Sequence, residues 1–168
     1  MTLTSTDPYP GVLPADYTFT AGDQGTHTFS GGVTFFTAGA QTLTVQDMAN
    51  TSFTGSATIA VAAAAANHFL ITASSVAVVS TPFDVTLTAL DPYGNMDLNY
   101  SGTATWISSD TDPGVVLPAD YTFQTTDIGT HTFLSGVTLI TVGDQTLSAS
   151  DTVSGIAGSA TVTVGGGP

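Results

Sequence analysis

The sequence predicts an all-β protein: a sandwich of antiparallel strands, present in two tandem copies of which the first is partial. Three observations carry this reading. Apolar and polar residues alternate over short stretches, the pattern of strands buried on one face only. Gly, Pro and Asp break these stretches every 8–12 residues or so, the spacing of turns in a stack of short strands. The chain also repeats itself at an offset of about 104 residues. That period is too long for a solenoid repeat of about 20–50 residues and suits whole domains.

The repeat is explicit. Leu13-Pro14-Ala15-Asp16-Tyr17-Thr18-Phe19 returns as Leu117-Pro118-Ala119-Asp120-Tyr121-Thr122-Phe123. Gly25-Thr26-His27-Thr28-Phe29 returns as Gly129-Thr130-His131-Thr132-Phe133, and Gln41-Thr42-Leu43 as Gln145-Thr146-Leu147. Roughly 60% of positions match across residues 13–47. The offset drops by one near Gly55, which pairs with Gly158 in Gly-Ser-Ala-Thr. Only the second copy has the segment Asn67 to Thr103. The expected organisation is a partial copy over 1–61 holding the later strands only, an Ala linker at 62–66, a complete copy over 67–164, and a Gly-rich linker or tail at 165–168.

Taken in order, 17–20, 26–29, 33–36, 41–45 and 56–61 read as short Thr-rich strands, as do their later copies. Thr makes up about a fifth of the chain; it keeps β propensity while suiting a solvated face. Ala62 to Ala66 is the one helix-compatible stretch. It falls far below the ~12–15 residues at which an isolated helix becomes marginal, so it reads as a linker into the strand His68 to Thr72. Residues 83–89 place Phe83, Val85, Leu87 and Ala89 opposite Asp84, Thr86 and Thr88. Residues 158–164 place Ala160, Val162 and Val164 opposite Thr161 and Thr163. The predicted core is Trp106, Phe83, Val85, Leu87, Phe133, Leu147 and Val162.

Composition removes several functions. Lys and Arg are absent, all 13 acidic residues are Asp, and the formal net charge is −13. Without cations there is no neutralisation of phosphates, which argues against nucleic acid and against anionic membrane surfaces. Isopeptide bonds through a Lys amine are impossible, and the absence of Cys removes disulfides, thiolate metal sites and thiol nucleophiles. The longest apolar run, Ile59 to Ala66, is far short of the ~20 residues that span a bilayer, so no membrane insertion is expected. The first residues show no basic and apolar segment of a signal peptide.

Several segments in order carry a family resemblance. His68-Phe69-Leu70-Ile71-Thr72-Ala73, Phe83 to Asn95, Tyr100-Ser101-Gly102-Thr103, and the Leu-Pro-Ala-Asp-Tyr-Thr-Phe, Gly-Thr-His-Thr-Phe and Gly-Ser-Ala-Thr-Val segments resemble tandem immunoglobulin-like repeats, invasin-like or filamin-like, of large bacterial surface proteins. The resemblance spans nearly the whole chain. It implies an immunoglobulin-like sandwich in an extracellular or cell-surface stalk, adhesin or filament, and no catalytic residues. Such repeats usually carry a Lys or two in the later strands. Here those positions read Phe35-Phe36 and Leu139-Ile140, a departure toward an apolar surface. Trp106 stands where an immunoglobulin sandwich places its core Trp, here without a disulfide behind it; a surface aromatic for stacking on sugar is the other reading.

Candidate sites are few. Asp91, Asn95 and Asp97 cluster oxygen donors on one loop. Calcium takes six to eight oxygens from such clusters, but Asp-Pro and Gly-Asn are also ordinary turn chemistry, so calcium is at most a weak candidate and no other cofactor is expected. Asp110 to Gly114 is a weaker cluster. His27 and His131 occupy equivalent positions and read as hydrogen-bonded strand residues, and with His68 they are too scattered for a metal site. No Gly-x-Ser-x-Gly elbow appears, and an enzyme is not expected. Asn50 and Asn99 lie in glycosylation sequons.

The partial copy bears on partners. Without strands equivalent to 68–73 and 83–90, one side of its core lies open, and no Lys guards its edges. Exchanging strands among identical chains cannot change the ratio of early to later strands, so a polymer of this chain alone leaves one half-domain per chain uncovered. The chain is then a window on a longer tandem array, or another element fills the gap, or the half-domain is remodelled. The expected partners are adjacent repeats or further copies, in a rod or fibre. The function expected is a non-catalytic structural repeat; a module binding carbohydrate or a host receptor, or an accessory domain of a secreted enzyme, are the alternatives.

Overall fold

The computed structural model describes residues 1–9 and 11–166. It divides into two units, Met1–Ala63 and Ala64–Pro168, at the centre of the Ala stretch. The first unit contains β1 (Thr2–Ser5), β2 (Gly39–Gln46) and β3 (Thr54–Val61). The second contains β4 (His68–Ala73), β5 (Val76–Val78), β6 (Phe83–Leu90), β7 (Thr103–Ser108), β8 (Tyr121–Thr122), β9 (Thr130–Val137), β10 (Gly143–Ser150) and β11 (Ala157–Gly165). Single 3₁₀ turns occur at Ala21–Asp23 and Thr125–Asp127. Among the described residues no helix is long and apolar enough to cross a membrane.

The second unit is a two-sheet sandwich. One sheet runs β4-β6-β9, the other β5-β11-β10-β7-β8. Pairing is antiparallel except that β5 joins β11 in parallel. The strand order, with Trp106 on β7 beneath the facing sheet, follows the immunoglobulin plan. Alternation delivers one face of each strand inward: Val85, Leu87 and Ala89 from β6, Leu147 and Ala149 from β10, Val162 and Val164 from β11 are buried. Phe69, Trp106, Phe123, Val137 and Leu139 are the other large members of this core, with Ile71 and Ile156. Phe83 and Phe133 are only half-buried and pack against its margin: Phe83 is the first residue of β6, and Phe133 lies on β9, the edge strand of its sheet. Leu139, expected at an apolar surface, is buried instead; Ile140 is half-buried.

The first unit is one three-stranded sheet, β1-β2-β3. These strands match β7, β10 and β11: Leu3 pairs with Val45 as Trp106 pairs with Ala149, and Gly55 pairs with Val45 as Gly158 pairs with Ala149. No hydrophobic side chain of this unit is among the buried core residues.

The expected strands at 17–20, 26–29 and 33–36 do not form; the bridge of Val12 to Thr34 and the reciprocal backbone hydrogen bonds of Met1 and Tyr17 mark where such pairing would run. The reason is tertiary. Residues 130–137 form β9 by pairing with β6, and unit 1 has no such neighbour. A strand without a partner leaves its amides and carbonyls unpaired, so 26–33 stays irregular although Gly-Thr-His-Thr-Phe is shared. His27, expected on a strand, is therefore exposed outside one, while His131 lies on β9. Residues 62–66 adopt neither helix nor strand. Of the tail, Gly165 closes β11, and Gly167 and Pro168 lie outside the described residues.

Candidate functional site

With no Lys or Arg in the chain, its carboxylates turn to backbone amides. Asp91, buried, accepts from the amides of Tyr93 and Asn95 at 2.8 and 2.9 Å, from Asn95 Nδ2 at 2.8 Å, and from Ala64 N at 3.0 Å. Asp97 accepts from Asn99 N at 3.0 Å and Ala66 N at 2.9 Å. Both carboxylates of the calcium candidate thus fasten the segment leading into β4 and their own turn. Burial raises the Asp91 carboxyl, but the Asn95, Tyr93 and Ala64 donors outweigh it and hold it below the ordinary carboxylate value. The described residues hold no cluster of three or more His, Cys, Asp or Glu suited to a metal ion.

The same device recurs across long loops. Asp110 Oδ2 accepts from Ile140 N and Thr141 N at 2.7 and 2.9 Å, and Oδ1 from Thr141 Oγ1 at 2.7 Å. Asp7 Oδ2 accepts from Phe36 N and Thr37 N at 2.6 and 3.1 Å, the equivalent clamp in unit 1. In both, burial pushes the pKa up, the donated hydrogen bonds outweigh it, and the carboxyl settles at about 2. Asp151 Oδ2 accepts from Tyr100 Oη at 2.7 Å, and Asp151 Oδ1 from Val153 N at 2.8 Å. Gly102 leaves the room for that contact, since a β-carbon there would overlap both the Tyr100 hydroxyl and the Asp151 carboxylate.

A Tyr–Asp–His cluster appears in both units. Tyr121 donates to Asp127 at 2.9 Å, His131 Nδ1 lies 3.0 Å from Asp127, and the Tyr121 and His131 rings stack at 3.8 Å. Tyr17, Asp23 and His27 repeat it, with ring stacking again at 3.8 Å. Each Asp also caps its 3₁₀ turn through the amide three residues back. The cluster is locked internally by neighbours in sequence, which is why it persists in unit 1 without a covering sheet.

The remaining feature is the inner face of unit 1. Leu3, Phe19, Phe29, Leu43, Val45 and Gly55 line an open groove of about 410 Å³. Phe19 is 47% exposed; Phe123, its counterpart, is 2% exposed beneath Phe69 and Tyr100, at 6.3 and 5.0 Å between ring centroids. Phe53 is 69% exposed where Ile156 is 5% exposed. This is an apolar sheet face with exposed edges, able to accept β-strands.

Of the remaining sequence candidates, Asn50 and Asn99 are exposed on turns, and Asn50 Oδ1 accepts from Ser52 N. Trp106 is buried and meets Phe133 edge-on at 5.5 Å, its indole N–H without a hydrogen-bond acceptor. Sequence reasoning passed over Asp7 and Asp110 as clamps and Gly55 and Gly158 as contact points. The repeated Gly-Ser-Ala-Thr held the signal for the glycines; nothing local marks the clamps.

No protein-family model matches the sequence, and no curated protein matches it. Among solved structures, the chain is similar to a glycosyl hydrolase family 2 member from Bacteroides cellulosilyticus, at 14% identity and a TM-score of 0.44 over 80% of this chain and 18% of that one. It is similar to β-glucuronidase 3 of Bacteroides uniformis, at 12% identity and 0.46 over 78% and 17%. It is also similar to domains 1–6 of surface layer protein SbsC, at 17% identity and 0.40 over 99% and 20%. The chain spans about a fifth or less of each of these chains.

Proposed function

We infer that this chain is a non-catalytic structural repeat of an extracellular or cell-surface bacterial protein, in which immunoglobulin-like sandwiches follow one another along a stalk or filament. The observation that carries this reading is the use of the carboxylates. Asp7, Asp91, Asp110 and Asp151 are buried, and each accepts from backbone amides or hydroxyls that fix a turn or a loop crossing. A nucleophile, a general base or a calcium ligand needs an oxygen that is free to act; these are spent on the frame. The resemblance to tandem repeats of surface proteins and the absence of Lys, Arg and Cys agree with this reading.

Two measurements on the purified chain test it together. Titration against a glycan panel is expected to show no saturable binding, and incubation with glycosidic and ester substrates no turnover. Pulled between its ends, unit 2 is expected to yield in one cooperative step, as a load-bearing sandwich does. Saturable sugar binding or enzymatic turnover overturns the reading.

A further inference from the structure

Unit 1 retains features that have a use in unit 2 only because β4 and β6 are present. Gly158 is one. A β-carbon there would collide with the Phe69 carbonyl of β4, so glycine is required by the close approach of that strand. At Gly55, the equivalent position, the only atom within 4 Å of such a β-carbon is Val45 Cγ1, at an ordinary 3.7 Å. Unit 1 therefore keeps a glycine whose cause is missing. The threonines repeat the point. Thr130 and Thr132 meet Thr88 and Thr86 of β6 through their hydroxyls, at 2.9 and 2.8 Å. Thr26 and Thr28 stand at the same places in the shared Gly-Thr-His-Thr-Phe, with no β6 beside them. Phe19, Leu43 and Val45 form the apolar floor that β4 covers in unit 2 over Phe123, Leu147 and Ala149.

We propose that this face receives a segment of the 67–102 kind, carrying strands equivalent to β4, β5 and β6, in the same polypeptide directly ahead of Met1. The proposal rests on the structural-repeat reading and names the partner of its incomplete unit. The cover is specified by chemistry: a backbone carbonyl over Gly55, threonines opposite Thr26 and Thr28, and an aromatic ring on Phe19. Two arguments place it in the same polypeptide. In unit 2 the cover runs through Gly102 and Thr103 straight into Ala104, and Met1 holds the position of Ala104. Supplied by a separate molecule, the same three strands would have to meet the whole cost of association from this one face. Covalent connection removes the cost of bringing two bodies together.

The test fuses a second copy of residues 64–103 ahead of Met1 in the full chain, with and without Gly55→Val in both the fused and the original chain. Amide exchange at His27 and Phe29 is expected to slow about 100-fold in the fusion, toward the rates of His131 and Phe133, whose amides face β6. Gly55→Val is expected to abolish that gain while leaving the unfused chain unchanged, because only the incoming carbonyl objects to the added side chain. Trp106 emission reports that unit 2 stays folded in every variant. Unchanged exchange in the fusion overturns the proposal, and so does protection that survives Gly55→Val. Equal protection from micromolar free peptide 64–103 overturns the covalent source. None of these outcomes depends on glycan binding or turnover, so failure here is separable from failure of the structural-repeat reading.

Discussion

Phe19 and Phe123 end the same heptapeptide, yet one is 47% exposed and the other 2% exposed. The heptapeptide is identical, so the difference lies in what covers it: Phe69 and Tyr100 pack on Phe123, and unit 1 has no strand in that place. Phe123→Ala is expected to cost about 3–5 kcal/mol, the range for emptying a large aromatic site in a core. Phe19→Ala should cost about 1 kcal/mol or less, since little of its packing exists to be lost. Denaturant unfolding of each variant checks the pair.

Gly158→Ala forces a β-carbon onto the Phe69 carbonyl, and backbone cannot swing aside as a side chain can. A loss of about 1–3 kcal/mol is expected, as for overpacking. Gly55→Ala meets only Val45 at 3.7 Å and should be neutral or stabilising by about 0.5 kcal/mol, since alanine restricts the unfolded chain more. Thermal melts of the two variants distinguish them.

Acid should unfold the protein in a defined window. Asp7, Asp23 and Asp110 sit at about 2 in the folded chain, against 3.8 for the free side chain. For Asp7 and Asp110, burial opposes ionisation and the amide and hydroxyl donors overcome it; for Asp23 the Thr20 amide and the Tyr17 hydroxyl lead. A depressed folded pKa gives stability that is fully present above the unfolded value and is lost as pH falls through the folded one. Stability is therefore expected to be level from about pH 7 to 5 and to fall between about pH 4 and 2. Asp110→Asn should flatten that fall, read from melting temperature against pH.

Calcium should do little. Asp91 is filled by the amides of Tyr93, Asn95 and Ala64 and by the Asn95 side chain. Millimolar calcium or EDTA is expected to leave the melting temperature unchanged. Asp91→Ala should cost about 1–3 kcal/mol with or without calcium, because it strands buried donors. A calcium-dependent melt, lost in that variant, would restore the metal reading.

Much of unit 2 was legible in sequence. Val85, Leu87 and Ala89, then Val162 and Val164, alternate cleanly because each strand has one wet face, and all are buried. Residues 26–29 read as strand for the same local reasons as 130–133, and only the latter form one. Local pattern states what a segment can do when paired; whether a partner is present is decided elsewhere in the chain. Asp7 and Asp110 were illegible for a related reason. Each clamps amides about thirty residues away, Phe36 and Ile140 among them, and no spacing rule connects such positions. Asp91 looked like a metal ligand because its neighbours are oxygen-rich; the fold turns its carboxylate onto its own turn.

The central claim is that one sequence becomes a strand only where a neighbouring strand covers and pairs with it. Site-resolved hydrogen exchange on the 1–168 chain compares Thr26, His27, Thr28 and Phe29 with Thr130, His131, Thr132 and Phe133 directly. The account predicts strong protection at His131 and Phe133, whose amides face β6 in the antiparallel pair, and exchange close to that of an open chain at His27 and Phe29. Equal protection at the two sets, in a chain shown by light scattering to be monomeric, would contradict it.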